Sequence, residues 1–201
     1  MNTTNQFQNN EVREHILATG RRIMAGKGFS AVGLNEILKD ASVPKGSFYH
    51  YFDSKEAFGV DLLANYFAEY LADIDRTLSQ PGFNMAQRIM NYWQQWQESQ
   101  SFSDCQGKCL AVKLGAEVAD LSDGMRLALD AGTSGIIARL TEALDTGVAE
   151  GSLTIDDRAR TVAESLYQLW LGASVMVKIV RHTGPFDSAM LTTRKLIHIA
   201  L

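Results

Sequence analysis

Residues 44–55 read Pro-Lys-Gly-Ser-Phe-Tyr-His-Tyr-Phe-Asp-Ser-Lys, and this stretch decides the expected fold. Proline is tolerated best in the first turn of a helix, so a helix of about two turns is expected to begin at Pro44. Residues three and four apart share one face of such a helix. The face expected to pack inward carries Phe48, Tyr51 and Phe52. The face expected to stay exposed carries Lys45, Tyr49 and His50.

The exposed groups of this helix are an amine, a hydroxyl, a phenol and an imidazole. Such groups form hydrogen bonds with the phosphate oxygens and base edges of double-stranded DNA. Gly46 would let the backbone approach the DNA, and Lys55 stands where a cation would meet the phosphate backbone. The residues predicted to contact DNA are Lys45, Gly46, Ser47, Tyr49, His50 and Lys55. The alternative is an aromatic-rich turn in the core of an ordinary helical bundle.

Three segments near the start of the chain together resemble a known family. Gly28-Phe29, the run Leu-Asn-Glu-Ile-Leu-Lys-Asp-Ala-Ser-Val over 34–43, and residues 44–56 resemble the helix-turn-helix domain of the tetracycline-repressor (TetR) family. The resemblance implies a transcriptional repressor whose second and third helices read DNA. It also implies a DNA-binding domain over 1–54 and a helical regulatory and dimerisation domain over 55–201. The sequence departs from many relatives at Val32-Gly33, which lacks their hydroxyl for a helix cap and a phosphate contact.

The composition favours an all-α protein. The chain has 201 residues, of which 46% are hydrophobic and three are prolines, and apolar residues recur at helical spacing almost throughout. Residues 1–58 carry seven Lys or Arg against six Asp or Glu, whereas residues 59–201 carry twelve against seventeen. The acidic part is therefore not the DNA-binding part. No apolar run could span a bilayer and no signal peptide is recognisable, so we expect a cytoplasmic protein without a membrane partner.

Start and stop signals divide the chain into nine expected helices. Gly28 followed by Phe29 is a stop signal for the first helix, and Ser54 is an expected N-cap for the fourth. Besides the helix at Pro44, the expected helices span about 10–27, 34–41, 55–79, 84–98, 109–118, 122–150, 154–182 and 186–200. Residues 1–9 are expected to form a frayed arm. Gly184-Pro185 is expected to separate the last two helices.

The last two expected helices are the candidate dimer interface. The resemblance implies that they pair with their twofold mates, which gives a homodimer on a palindromic operator. Their apolar residues, sufficient for both core and interface, are Val162, Leu166, Leu169, Trp170, Ala173, Val177, Met190, Leu191, Ile197 and Leu201. The small residues 172–174 would permit close helix approach, so Ala173 is expected in the interface. The alternative is that all these residues belong to the core of one chain.

Signatures of catalysis and metal binding are absent from the sequence. It contains no phosphate-cradling loop, no Gly-x-Ser-x-Gly and no His-Glu-x-x-His. The four histidines are scattered, and two cysteines without a nearby pair of histidines do not make a zinc site. Glu117 and Glu164 are interpreted as ordinary residues of a polar helix face. We therefore expect no enzyme, no cofactor and no metal.

Cys109 is the candidate sensor residue. It follows a glycine-bearing loop and opens an expected helix, where backbone N–H groups and the helix dipole lower the pKa of a thiol. Lys108 and Lys113 flank it, whereas Cys105 stands beside the opposing charge of Asp104 and is at most a helper. The alternative is that Cys109 is a small buried hydrophobic residue.

A narrower resemblance favours the sensor interpretation. Segments 109–118 and 166–173, together with Asp120-Leu-Ser, Met125-Arg126 and Lys178-Ile, resemble a branch of the TetR family that responds to electrophiles. Lys178 stands in the otherwise apolar run 175–180. There it would need a partner, for which a thiolate is one candidate, or it would extend to the solvent.

The inducer is expected to be a small molecule, and two other interpretations of the chain stay open. If the cysteines are idle, a conventional non-covalent inducer would occupy a pocket lined by Trp93, Trp96, Tyr167 and Trp170. A more remote interpretation is a helical-bundle enzyme or carrier that does not bind DNA.

Overall fold

The computed structural model describes residues 3–99 and 109–199. Within these ranges the chain forms nine α-helices and no β-strand. The helices are α1 (Thr3–Lys27), α2 (Leu34–Asp40), α3 (Lys45–Tyr51), α4 (Lys55–Leu78), α5 (Met85–Ser99), α6 (Leu110–Leu121), α7 (Asp123–Ala149), α8 (Ala159–Val180) and α9 (Gly184–Leu196). The predicted all-α fold with an N-terminal helix-turn-helix is confirmed. No helix in these ranges is long and apolar enough to cross a membrane.

Several helix boundaries differ from the predictions. The helix α1 already begins at Thr3, so the expected frayed arm is wrong for the described part of residues 1–9. Neither glycine nor proline interrupts the chain before Gly20, so the backbone hydrogen bonding of α1 can extend to that point. The helix α8 begins at Ala159 instead of near residue 154. Gly184-Pro185 forms the first turn of α9, because proline fits the first positions of a helix.

The described residues form two compact units. The first comprises residues 3–68 and 109–132, and the second comprises residues 69–99 and 133–199. The helices α4 and α7 each continue from one unit into the other. The first unit also includes α6, which follows the helix-turn-helix in sequence by more than fifty residues. The predicted division between residues 54 and 55 stays a prediction about the extent of the DNA-binding module.

The first unit has an aromatic core that supports α3. The ring centroids of Phe48, Phe52 and Phe58 lie 5.0 to 5.6 Å apart. Gly28 adopts a φ of 92°, a conformation that favours glycine, and it ends α1. The buried Phe29 then folds back, as the stop signal predicts. Around this core, α1 packs against α2 and α6, and α2 packs against α3.

The second unit is centred on a column of rings contributed by three helices. Trp93 of α5 stacks on Trp170 of α8, with ring centroids 4.8 Å apart. Trp170 also stacks on Phe186 of α9 at 5.8 Å. All three side chains are fully buried, and α8 packs along α9. The apolar side chains of these helices therefore pack mainly within one chain.

Candidate DNA interface and candidate sensor residue

The helix α3 divides its aromatic residues between core and solvent. Phe48 is fully buried, whereas the next residue, Tyr49, is 55% exposed. Tyr51, which was expected on the inward face, is only partly buried. The other residues predicted to contact DNA from α3 are exposed or partly exposed: Lys45, Gly46, Ser47 and His50. These residues are accessible to solvent, and their contact with DNA stays a prediction.

The two helices that flank α3 have different N-terminal caps. The Ser54 Oγ accepts a hydrogen bond from the Ala57 N–H at 3.0 Å, as expected for an N-cap of α4. The helix α2 has Gly33 at its N-cap position and no hydrogen bond from a capping side chain. The candidate DNA interface therefore lacks a hydroxyl at the start of α2, as the sequence departure predicts.

Lys55, the first residue of α4, is fixed by the turn that follows α1. Its Nζ donates a hydrogen bond to the Phe29 carbonyl oxygen at 2.8 Å and lies 4.5 Å from the centre of the Phe29 ring. Burial lowers the pKa of Lys55, and the negative charge of Glu117 acts in the opposite direction. An ammonium carries three N–H donors, so the bond to Phe29 leaves others for a phosphate. The predicted phosphate contact of Lys55 stays a prediction.

Glu117 of α6 has a role that the sequence interpretation missed. Its Oε2 accepts a hydrogen bond from the Phe29 N–H at 3.1 Å, and its Oε1 accepts one from the Ser30 N–H at 2.7 Å. Burial by itself raises the pKa of Glu117, but hydrogen bonds from Ser30 and Phe29 and the charge of Lys113 lower it overall. The expectation of an ordinary polar-face residue is therefore wrong for Glu117. No local signal could have found this contact, because 87 and 88 residues separate its partners.

Cys109 is the N-cap residue of α6, so it opens this helix as the sequence predicts. Its side chain is buried, with 3% exposure. A reagent can therefore reach its Sγ only when neighbouring groups move. Cys105 and Lys108 lie outside the described residues. The sensor role of Cys109 and the helper role of Cys105 stay predictions.

Lys178 lies on an exposed part of α8. Its apolar neighbours Val175, Met176, Ile179 and Val180 are each more than a third exposed. An exposed lysine does not require a buried partner, which agrees with the alternative that Lys178 extends to the solvent. Its proposed partnership with a thiolate stays a prediction.

Ala173 does not lie on the exposed face of α8. It is buried within a single protomer, as is Ser174 beside it. Most of the apolar residues expected to serve both core and interface are likewise buried in one chain, namely Val162, Leu166, Trp170, Val177 and Ile197. Leu169 and Met190 are partly buried, Leu191 is exposed, and Leu201 lies outside the described residues. The expectation of an interfacial Ala173 is corrected because the helix turns this residue towards its own core.

The four aromatic residues expected to line a ligand pocket lie together but pack on one another. Trp93 stacks on Trp170, and Trp96 meets the Tyr167 ring edge-on at 6.1 Å. The Nε1 of Trp96 donates to Ser174 and that of Trp170 to Thr193, each at 2.9 Å. The buried Nε1 of Trp93 has no acceptor among the described residues. A ligand at this position would have to separate the rings, and its binding there stays a prediction.

The architecture and the open face of α3 define a helical DNA-binding regulator. The model of the "bacterial regulatory proteins, tetR family" matches residues 16–59. The model of the "tetracyclin repressor-like, C-terminal domain" matches residues 86–193. The chain therefore belongs to the TetR family.

Relatives with assigned roles are similar over nearly the full length. The HTH-type transcriptional repressor NemR of Escherichia coli K12 is 42% identical over 193 residues, which are 96% of this chain and 97% of NemR. The repressor DhaR of Mycobacterium sp. GP1 is 32% identical over 88% of this chain and 87% of DhaR. The solved reduced form of E. coli NemR matches with a TM-score of 0.89 and 44% identity over 93% of this chain and 97% of that chain.

The expectation that the chain is not an enzyme is confirmed by these relatives, which are transcriptional repressors. In the part of the chain that the structure describes, no three His, Cys, Asp or Glu side chains are grouped to hold a metal ion. The exposed side of α3 stays the candidate DNA interface.

Proposed function

We propose that the chain is a homodimeric transcriptional repressor that leaves its palindromic operator when a small electrophilic or oxidising molecule modifies Cys109. The DNA-reading part rests on the exposed residues of α3 and on Lys55. Two such helices in a dimer would enter successive major grooves roughly 34 to 36 Å apart. The operator is accordingly a near-palindrome whose half-sites are one helical turn apart.

The dimer part of the proposal is supported by apolar residues that one protomer leaves uncovered on α8 and α9. Ile179 is 66% exposed, and Met176 and Leu191 are about half exposed. Large apolar side chains exposed on two helices that pack together are unfavourable in water and indicate a contact site. A second copy of the chain that presents the same surface would bury it around a twofold axis.

The sensor part rests on one observation, the position of Cys109 as the buried N-cap residue of α6. The same helix carries Glu117, whose carboxylate contacts the turn between α1 and α2. An adduct on a buried Sγ adds atoms to a packed site, and packed sites accommodate added volume poorly. Modification of Cys109 would therefore displace the start of a helix that also contacts the DNA-binding part of the first unit.

The covalent modification of Cys109 requires only its thiolate and an electrophile. With N-ethylmaleimide, Sγ bonds to one alkene carbon, the carbon–carbon π bond is lost, and a proton adds to the other carbon. The product cannot occupy the volume of the thiol, so the equilibrium shifts towards conformations that bind DNA less well. E. coli NemR is named a repressor and has been solved in a reduced form, which supports testing thiol chemistry here.

The test is an operator-binding titration with a duplex that the wild-type protein selects from a random-sequence library. N-ethylmaleimide should release the wild-type protein and the Cys105→Ser variant from this duplex. The Cys109→Ser variant should bind the duplex as tightly as wild type and stay bound after the same treatment. Full release of the Cys109→Ser variant by N-ethylmaleimide would contradict the thiol mechanism.

A non-covalent inducer is the second candidate, and the buried N–H of Trp93 favours it. An unsatisfied buried donor costs about 1–3 kcal/mol, which a ligand carbonyl between the rings would relieve. N-ethylsuccinimide resembles N-ethylmaleimide in shape but lacks the reactive double bond. Release of wild-type protein from the duplex by the succinimide would favour non-covalent binding. Release by the maleimide alone supports modification of Cys109.

A further inference from the structure

The turn between α1 and α2 is held from two sides at a single residue, Phe29. The Phe29 N–H donates to Glu117 of α6, and the Phe29 carbonyl oxygen accepts from Lys55 of α4. The Ser30 N–H adds a second hydrogen bond to the same carboxylate. Glu117 and Lys55 therefore act on opposite ends of one residue, although 62 positions separate them in the sequence.

The turn is shaped to receive the Glu117 carboxylate. Gly28 has a φ of 92°, and a Cβ atom added to it would lie 2.9 Å from the Glu117 Oε2. Any other residue at this position would thus be strained and would also crowd the carboxylate. The lowered pKa of Glu117 agrees with a carboxylate that stays ionised in this site. The contact is specific in its geometry and is more than an exposed ion pair.

Lys55 is positioned by this arrangement and is not withdrawn into the protein. Its ammonium stays partly exposed while one of its three donors binds the Phe29 carbonyl oxygen. The ring of Phe29 limits the ammonium on another side at 4.5 Å. If Phe29 were not held in place, the long side chain of Lys55 would sample many rotamers and lose entropy on meeting a phosphate.

A second contact ties the same two helices together. The Ser122 Oγ, at the C-cap of α6, donates a hydrogen bond to the Glu56 carboxylate, next to Lys55 in sequence. Met125, in the first turn of α7, lies against Gly59 one turn further along α4, where a Cβ added to Gly59 would be 2.6 Å from the Met125 sulfur. The start of α4 therefore has a defined position relative to α6 within the first unit.

We propose that Glu117 is a positioning residue for DNA binding, which anchors Phe29 and thereby holds the Lys55 ammonium in place for a DNA phosphate. The inference rests on the proposed phosphate contact of Lys55 and is independent of the thiol chemistry at Cys109. It predicts an effect of unusual sign. Removing a negative charge near DNA ordinarily strengthens binding, because phosphate repulsion falls. Neutralising Glu117 should instead weaken binding.

The experiment measures affinity for the selected duplex as a function of salt concentration, on the reduced full-length protein and without any electrophile. Glu117→Gln should weaken binding about 3- to 30-fold. It should also make the plot of log affinity against log salt less steep, by the amount expected for the loss of about one phosphate contact. Lys55→Gln should have the same effect. The matched control is Asp120→Asn, which removes the same charge from an exposed position on the same helix. This control should bind as wild type or slightly tighter.

A double variant tests whether Glu117 acts through Lys55. Glu117→Gln combined with Lys55→Gln should lose no more affinity than the weaker-binding single variant, because both changes remove one contact. Additive losses would overturn the inference. Glu117→Asp keeps the charge but has a shorter reach, so it should be intermediate, and it provides a second variant if Glu117→Gln folds poorly.

The possible outcomes separate the inference from the proposed function on which it rests. If Lys55→Gln lowers the salt slope and Glu117→Gln leaves it unchanged, the inference alone is wrong. If Lys55→Gln leaves the slope unchanged, both the phosphate contact and the inference are wrong. A merely structural Glu117 would lower the melting temperature but leave the salt slope of the folded protein unchanged.

Discussion

The aromatic residues of α3 and those of the α5, α8 and α9 column differ in their exposure to solvent. In α3, a fully buried Phe48 is followed directly by Tyr49, which is mostly exposed. In the column, Trp93, Trp170 and Phe186 are all fully buried and stack on one another. In and directly after α3, Phe48 and Phe52 are buried while Tyr49 is exposed, whereas all three rings of the column are buried.

This difference teaches that a high aromatic content does not by itself indicate a binding site. The polar groups that accompany the rings are more informative. Tyr49 stands beside Lys45 and His50 on an open face, whereas the indole N–H groups of Trp96 and Trp170 are satisfied inside the second unit. Substitutions in the two regions should therefore affect different properties, DNA affinity in the first and stability in the second.

The largest effect is expected for Trp170→Ala in the ring column. It removes two stacking contacts and the hydrogen bond to Thr193, and it leaves a cavity. We expect a loss of about 3–5 kcal/mol in the free energy of unfolding, measured by urea denaturation at fixed protein concentration. Tyr49→Ala is the control on α3 and should stay within about 0.5 kcal/mol. A loss of similar size for both variants would contradict the division of roles.

The next effect concerns the uncovered apolar surface of the second unit. Ile179→Asp would place an unpaired charge in the proposed dimer interface, at a cost of roughly 3 kcal/mol. Sedimentation should show a folded monomer, and operator affinity should fall accordingly. Val148→Asp, at another exposed apolar position, should remain dimeric. An intact dimer for Ile179→Asp would place the interface elsewhere, whereas Ala173→Asp would chiefly test folding, since Ala173 is buried within one chain.

A matched pair of tyrosine substitutions tests the same difference between the two regions with smaller expected effects. Tyr49→Phe removes an exposed phenol, so operator affinity should fall by about 1 kcal/mol while stability is unchanged. Tyr92→Phe removes a hydroxyl that lies 3.1 Å from the Tyr70 hydroxyl in the second unit. It should cost about 0.5–1.5 kcal/mol of stability and leave DNA affinity unchanged. DNA affinity is measured by duplex titration and stability by urea denaturation. A loss of stability for Tyr49→Phe and a loss of DNA affinity for Tyr92→Phe would contradict the assigned roles.

The sequence predicted the features that depend on neighbouring residues. The division of α3 into two faces follows from helical spacing, and the caps at Gly33 and Ser54 follow from residue type and position. The stop at Gly28 is equally local. These signals extend over a few residues, so a single sequence contains them in full.

The features that the sequence did not predict depend on contacts between distant segments. Glu117 reaches Phe29 and Ser30 only because α6 packs beside α1, and no pattern near Glu117 records that arrangement. Similarly, α8 has apolar residues on more than one face. Periodicity alone could not tell the buried Ala173 from the exposed Ile179.

The smallest effect is expected at the uncapped start of α2. Gly33 has an extended conformation with a φ of −80°, and nothing lies within 4 Å of a Cβ added there. Gly33→Ser should therefore introduce a capping hydroxyl without strain and raise stability by roughly 0.5 kcal/mol. The same hydroxyl could accept a hydrogen bond from one α2 N–H and donate one to a phosphate, so operator affinity should rise slightly.

Gly147→Ser in the second unit is the contrasting control. Its Cβ would lie 2.6 Å from the Leu153 side chain, so this substitution should destabilise the packed region. Stability is measured by urea denaturation. Lower stability for Gly33→Ser would show that the start of α2 has no room for the serine side chain.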